Sequence, residues 1–328
     1  MVFYKEKLQS LILGELLTNN VLRLSALVKK VIRKLEIAIT NPINRYLTIP
    51  YFIIPDLKKN FGLTGYISTI KAHGSYIVIG DGYAYKVGLR KLNHIKFEFN
   101  QRNAVLKIWP NLKDIFAELE YFHGGFYSFL RIPLYRKISL NDSYFFAIEI
   151  YQIFKNYQTT FNRHKLLQNL NFINEGFKII QNHASEKQYE IIKSNVQNFI
   201  LSGEFTVGAA HGDLHSRNIM LDKEGNIKLI DFDCLRKNSI QEFDALNFIL
   251  EFIWSKTNTQ WFETVIGVLS MLHFDHFVDL SEKFGLKRAN FICILYFLDR
   301  IGQEKINHGI EYSPDILSRY IQAVVLLK

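Results

Sequence analysis

The 328-residue sequence is poor in cysteine. Cys234 and Cys293 are its only two, too few for a disulfide framework, and a reducing compartment fits better than secretion. Proline is scarce at 6 residues and glycine reaches 18, which excludes collagen-like and proline-rich architectures. No run of about 18 apolar residues occurs, so no segment reads as a membrane-spanning helix. The first residues, Met1 to Lys7, lack the pattern of a cleaved signal peptide. A cytoplasmic protein is expected, with peripheral contact to the inner face of a membrane as an option.

What is present describes a packed globular chain. Apolar residues make up 48% and charged residues 22%, and the length suits one large domain or two small ones. The net charge of +9 is uneven. Residues 1–60 hold 10 Lys+Arg against 4 Asp+Glu, and residues 61–150 hold 11 against 7. A basic half favours anionic partners such as nucleotide phosphates or lipid headgroups, and no recognised module supports nucleic acid.

Apolar positions at Val21, Leu24, Val28, Val31, Leu35 and Ile39 predict an amphipathic helix over 20–40. Its other side gathers Arg23, Lys29, Lys30, Arg33 and Lys34, either a solvated face or a contact for an anionic surface. Strands are expected at 66–72, 76–80 and 83–87, with Asp81-Gly82 as a hairpin turn. A helix over about 92–107 follows, then strands at 116–122, 130–137 and 144–151. Beyond Tyr151 helical patterns dominate, at 163–182, at 186–201 and from Ser239 onward. A small hairpin, 219–221 with 227–230, interrupts them. The order gives a small five-stranded sheet lobe followed by a larger helical part.

The informative stretch is His211-Gly212-Asp213-Leu214-His215-Ser216-Arg217-Asn218, followed by Leu229-Ile230-Asp231-Phe232-Asp233. The intervening hairpin brings its outer ends together, so Asp213, Asn218 and Asp231 converge. Two carboxylates and an amide are hard oxygen ligands that suit Mg2+ rather than zinc. Phosphoryl transfer uses such a set: one carboxylate accepts the attacking hydroxyl's proton, while a second and an amide hold metal. His211 and His215 suggest zinc only weakly, since no third ligand follows. Asp231 sits in an apolar run, where an unpaired carboxylate would be costly.

These two segments resemble the H-G-D-x-H-x-x-N and I-D-[FW]-[DE] motifs of the aminoglycoside phosphotransferase and choline kinase family. The resemblance implies an α+β, bilobal, protein-kinase-like fold with an N-terminal helical extension. Residues 1–60 would form the extension, 61–150 a nucleotide-binding lobe of five antiparallel strands, and 151–328 a helical catalytic and acceptor lobe. It implies an ATP- and Mg2+-dependent kinase, with Asp213 as base, His211 holding the catalytic loop, and Asn218, Asp231 and Asp233 at the metal. Ala84 and Lys86, on one face of a strand, match the kinase A-x-K arrangement, with Lys86 on the nucleotide phosphates and Glu98 as its partner. An edge-strand lysine snorkelling to solvent is the structural alternative for Lys86. Gly74 and Ser75 are expected to cover the phosphates in a loop with one glycine where protein kinases have three. The apolar run ending at Glu149, Ile150 and Tyr151 resembles the adenine-binding hinge. Asp244 is expected to bond back to the catalytic loop or to cap a helix.

A protein kinase is disfavoured, because Gly212 stands where an Arg would pair with a phosphorylated loop and no A-P-E occurs. The acceptor is expected to be a small-molecule or saccharide hydroxyl, with a cell-envelope glycan favoured by the basic N-terminal half. Choline, ethanolamine or an aminoglycoside are alternatives. Trp254, Trp261, Phe252, Tyr296 and Phe297 are candidates for an aromatic cage, a sugar platform or plain core. A nucleotide-binding module without turnover is the alternative from another class.

Overall fold

The computed structural model describes residues 54–65, 67–70, 75–89, 94–123, 127–159, 170–271 and 274–327. The basic helix expected over 20–40, and Gly74, lie outside them. The chain divides into two units, Met1–Leu92 with Phe122–Arg131, and Asn93–Tyr121 with Ile132–Lys328. The expected boundary after residue 150 falls instead inside a helix, Leu140–Lys155.

In the first unit, helix α1 (Ile54–Phe61) precedes strands β1 (Ile67–Ile70), β2 (Ser75–Gly80) and β3 (Tyr83–Leu89). The chain returns to the same sheet as β4 (Glu120–His123) and β5 (Tyr127–Pro133), giving the order β1-β2-β3-β5-β4. Asp81-Gly82 forms the expected tight turn, with φ 52 and 81 and Gly80 opposite Tyr83. Both central residues need positive φ, which is why an Asp-Gly pair sits there. The backbone N–H and hydroxyl of Thr64 donate to the Asp81 carboxylate at 2.7 and 2.8 Å, and these bonds lower its pKa. Alternation along β3 turns Tyr85 and Val87 into a core with Leu57, Val78 and Phe129, which leaves Ala84 and Lys86 on the opposite face.

The second unit opens with α2 (His94–Ile108) and a short 3-10 turn, Pro110–Asp114. It continues through β6 (Arg136–Lys137), α3 (Leu140–Lys155), α4 (Asn171–Gln181) and α5 (Glu186–Ser202). Next come β7 (Val207–Ala210), β8 (Ile219–Leu221), β9 (Ile227–Leu229) and β10 (Arg236–Ile240). Five helices close the described chain: α6 (Glu242–Thr257), α7 (Trp261–Leu269), α8 (Phe274–Lys283), α9 (Ala289–His308) and α10 (Pro314–Leu326). Strands β6, β8 and β9 form one small antiparallel sheet, and β7 pairs antiparallel with β10. The helix at α2 and the 219–230 hairpin stand where the sequence puts them. Of the strand expected at 116–122, only the end is β4; Phe116 makes a lone bridge to Leu229.

Residues 144–151 are a correction. They form part of α3 rather than a strand. Ser139 caps the helix by accepting the Asp142 N–H at 3.1 Å, and an acid in the first turn suits the helix dipole. The buried positions Ser143, Ala147, Ile150, Tyr151 and Phe154 follow helical spacing and define one face. The expected hinge role of Glu149, Ile150 and Tyr151 fails with the strand, because their backbone groups are committed to helix hydrogen bonds. Tyr151 is core, its hydroxyl donating to Glu242 Oε1 at 3.4 Å, while Glu149 is exposed.

Helices α4 and α9 cross at two glycines. A Cβ on Gly302 would lie 1.9 Å from the Phe172 carbonyl oxygen, and one on Gly176 2.2 Å from that of Leu298. Backbone on the other side cannot swing away as a side chain would. Gly302→Ala is therefore expected to destabilise the fold by about 1–3 kcal/mol or more, as overpacking does. Chemical denaturation measures it, and an unchanged midpoint would rule out the close crossing.

Candidate active site

The site grows from the loop between β7 and β8. All four residues of β7 are buried, and the chain leaves it at His211. Gly212 has φ +79, and a Cβ there would lie 2.1 Å from the Cys234 carbonyl oxygen. Conformation and close approach both demand glycine, so the 211–218 loop and the 231–234 turn pack backbone to backbone.

Three further bonds fix this pair of loops. His211, fully buried, places Nε2 2.9 Å from the Ile230 carbonyl oxygen. The Ile230 N–H donates to the Asn218 carbonyl at 3.1 Å, and Asn218 Nδ2 donates to the Asp213 carbonyl at 3.0 Å. That last bond sets the amide's orientation and turns Asn218 Oδ1 away from the backbone it braces. Asp213 and Asn218 are thus bonded to each other, and the residue before Asp231 is bonded to Asn218 and His211.

Asp231 is left-handed, with φ 67 and ψ 70. A non-glycine residue held there costs about 1–3 kcal/mol and persists only where its neighbours over-determine it. They do: the next residue, Phe232, donates its N–H to Glu98 Oε1 at 3.1 Å, and Glu98 is itself buried on α2. Leu229 is tied to Ile115 and Ala117 by backbone bonds of 2.7 and 2.8 Å. Asp233 lies exposed on the 3-10 turn Phe232–Cys234.

Helix α6 supports the loop with polar residues on an otherwise apolar face. Asp244 Oδ2 and Oδ1 accept the N–H groups of His211 and Gly212 at 2.6 and 2.7 Å. Asn247 Nδ2 donates to the Leu214 carbonyl at 2.9 Å, and Glu251 accepts the Ser216 N–H and hydroxyl at 2.6 and 2.9 Å. Burial pushes the Asp244 carboxyl up, against the two amides that favour its charge. The sequence expectation that Asp244 bonds back to the catalytic loop is what the structure shows. Asp244→Ala is expected to cost about 1–3 kcal/mol for each amide left without an acceptor. Thermal denaturation checks this, and a wild-type melting point would contradict it.

The Asp213 carboxylate stands between the Arg300 guanidinium and the His215 ring. Arg300 Nη2 of α9 lies 3.3 Å from Oδ1, and His215 Nε2 lies 3.4 Å from Oδ2. Burial acts to raise this carboxyl, but Arg300 and His215 outweigh it and hold it below the usual carboxylate range. Asn247, Glu251 and Arg300 were missed in the sequence reading. Asp244, Asn247 and Glu251 recur at three- and four-residue spacing in a strongly apolar helix, a legible signal; Arg300 carries no local one.

The remaining expected residues are placed as follows. Lys86 is buried on β3, 7% exposed, so the exposed edge-strand reading fails. It lies in the first unit and Glu98 in the second. Ser75 opens β2. Of the proposed cage aromatics, Trp261 packs against Tyr296 and Phe297 at 6.2 and 5.7 Å, and both of those rings are buried core. Phe297 stacks on Tyr320 at 3.9 Å, the Tyr296 hydroxyl bonds Asn247 at 2.5 Å, and Phe252 packs in another cluster with Tyr144. Among the described residues, no group of three or more His, Cys, Asp or Glu is placed to hold a metal. An amide with two carboxylates is instead a partial oxygen set, which suits a Mg2+ that keeps water and phosphate oxygens.

The fold is kinase-like, of the kind found in choline kinase and the aminoglycoside phosphotransferases. Choline kinase LicA from Streptococcus pneumoniae matches at TM-score 0.50 and 11% identity, over 84% of this chain and 98% of its own. The aminoglycoside phosphotransferase APH(4)-Ia matches at TM-score 0.51 and 10% identity, over 83% and 97%. A thermostable mutant of APH(4)-Ia, in a ternary complex with AMP-PNP and hygromycin B, matches at TM-score 0.50 and 13% identity, over 84% and 98%. The family model described as Seadornavirus VP7 matches residues 133–247, a span that holds both loops of the site. No curated protein matches the chain in sequence.

Proposed function

We propose that the chain is an ATP- and Mg2+-dependent phosphotransferase acting on the hydroxyl of a small molecule or saccharide. The observation that carries this reading is the bonded loop pair. An ionised Asp213, an oriented Asn218 amide and a left-handed Asp231 are gathered by His211 and Gly212. The fold shared with small-molecule kinases supports it.

In this reading Asp213 accepts the proton of the acceptor hydroxyl. Its depressed pKa keeps it ionised at neutral pH, at some cost in basicity. Asn218 and Asp231, with Asp233 as a further candidate, would hold Mg2+, which when bound would neutralise charge on the phosphate oxygens. His211 keeps the loops in register. By the motif resemblance alone, Lys86 would contact the nucleotide phosphates, with Glu98 as its partner.

For the acceptor we favour a neutral hydroxyl compound, a saccharide first and a cell-envelope glycan within that class. Arg300 pairs with Asp213, so the base offers no unpaired anion to a cationic group next to the reacting hydroxyl. Tyr296 and Phe297, which pack with Trp261, are buried core and turn no open ring face to a quaternary ammonium. Transfer of γ-labelled phosphate to a panel of neutral sugars, choline and aminoglycosides tests this. Label on the sugars is expected, and label confined to the cationic acceptors would overturn it.

A further inference from the structure

The phosphotransferase reading assigns roles to the two loops and none to α9, yet α9 reaches the candidate base. We infer that Arg300 is a positioning residue for phosphoryl transfer, holding the Asp213 carboxylate toward the acceptor through a fixed guanidinium. This inference rests on the phosphotransferase reading and adds a residue that no loop motif contains.

The geometry is that of a held group. Arg300 is about one-fifth exposed and lies between two carboxylates, with Nη2 3.3 Å from Asp213 Oδ1 and Nε 3.7 Å from Glu304 Oε1. Glu304 is braced in turn by the Tyr312 hydroxyl at 2.5 Å. The helix beneath is fixed on both sides of Arg300. One residue earlier, Asp299 takes both oxygens to Arg236 Nη1 at 2.8 Å. Three residues later, Gln303 accepts from Arg236 Nη2 at 2.9 Å and donates to Cys234 Sγ at 3.1 Å. Gly302 seats the opposite face of α9 on α4. Arg300 therefore stands on a rigid platform that also touches the 231–234 turn.

Such a guanidinium does what His215 alone cannot. A carboxylate with one neighbour rotates about its bond to the chain; with Arg300 at one oxygen and His215 at the other it keeps one plane. Catalysis by a base depends on that orientation, and a misplacement of about 1 Å can cost about 10²-fold. Arg carries its charge at every working pH, so the hold does not lapse with protonation. Each carboxylate oxygen has two lone-pair directions and one of these partners, Arg300 or His215, which leaves a direction for a hydroxyl proton.

Water serves as acceptor in the test, so no acceptor need be known. MgATP hydrolysis by the full chain is measured for wild type, Arg300→Met, Arg300→Lys, Asp213→Asn and the double variant Asp213→Asn with Arg300→Met. Binding of MgADP and melting temperature are measured on each. Arg300→Met is expected to lose about 10–100-fold in kcat with MgADP affinity unchanged, and Arg300→Lys to recover part of the loss. The double variant should be no slower than Asp213→Asn, because the two residues act as a unit. Losses that multiply in the double variant would overturn the inference, as would a kcat within twofold of wild type in Arg300→Met. If Arg300→Met melts early, Arg300→Lys and the double-variant comparison still decide. A wild type that hydrolyses no ATP would overturn the phosphotransferase reading itself, and this inference with it.

Discussion

Asp231→Ala is expected to abolish MgATP turnover while leaving the chain folded. The carboxylate is a proposed metal ligand, and Mg2+ sites with few protein ligands do not tolerate the loss of one. Neighbouring bonds also hold the backbone that places it: Phe232 is bonded to Glu98, and Ile230 to Asn218 and His211. A modest loss of stability with the chain still folded is expected, because alanine tolerates the left-handed conformation less well than aspartate. Turnover and thermal melting on the same preparation check both halves. A folded variant with wild-type turnover would remove Asp231 from the metal site.

Asp213→Asn carries the second large effect. Asparagine keeps the shape and accepts no proton, and general-base catalysis contributes about 10²–10⁴-fold. The loss should appear in kcat, with nucleotide affinity nearly unchanged. A loss below about fivefold would exclude the base role. The pH dependence has a definite sign. Burial raises this carboxyl, but Arg300 and His215 together depress it, so it is ionised from neutral pH down past the ordinary carboxylate range. Its contribution to stability is complete above the unfolded value of about 3.9 and fades as pH falls through the lower folded value. An acid limb in kcat above about pH 5 would belong to another group.

The residues of the two loops were legible because their chemistry is contiguous. Histidine, glycine, two aspartates and an asparagine lie at fixed offsets around a hairpin whose turn residues announce it. Their convergence follows from strand pairing, a local property. The same holds for Asp81-Gly82, where backbone sign alone dictates the residue pair. The run 144–151 was misread for a physical reason. Aromatic and β-branched residues without breaks fit a buried strand and a buried helix equally, and periodicity does not arbitrate over eight positions. The deciding signal lay just upstream, in Ser139 and Asp142, which cap α3. Arg300 was illegible for the opposite reason. It meets Asp213 across 87 residues of sequence, and in its own helix it is one charge in a 3.6-residue pattern. Only the packing of α9 brings it to Asp213. Between these extremes stand Asn247 and Glu251, whose spacing from Asp244 in an apolar helix marks a polar face turned inward.

The most direct measurement is release or transfer of label from γ-labelled ATP by the unmodified chain, with and without Mg2+. Loss of label from ATP that requires Mg2+ and disappears in Asp213→Asn is the expected result. Mg2+-dependent binding of ATP with no transfer of label, to water or to any acceptor offered, would contradict it and make the chain a nucleotide-binding module.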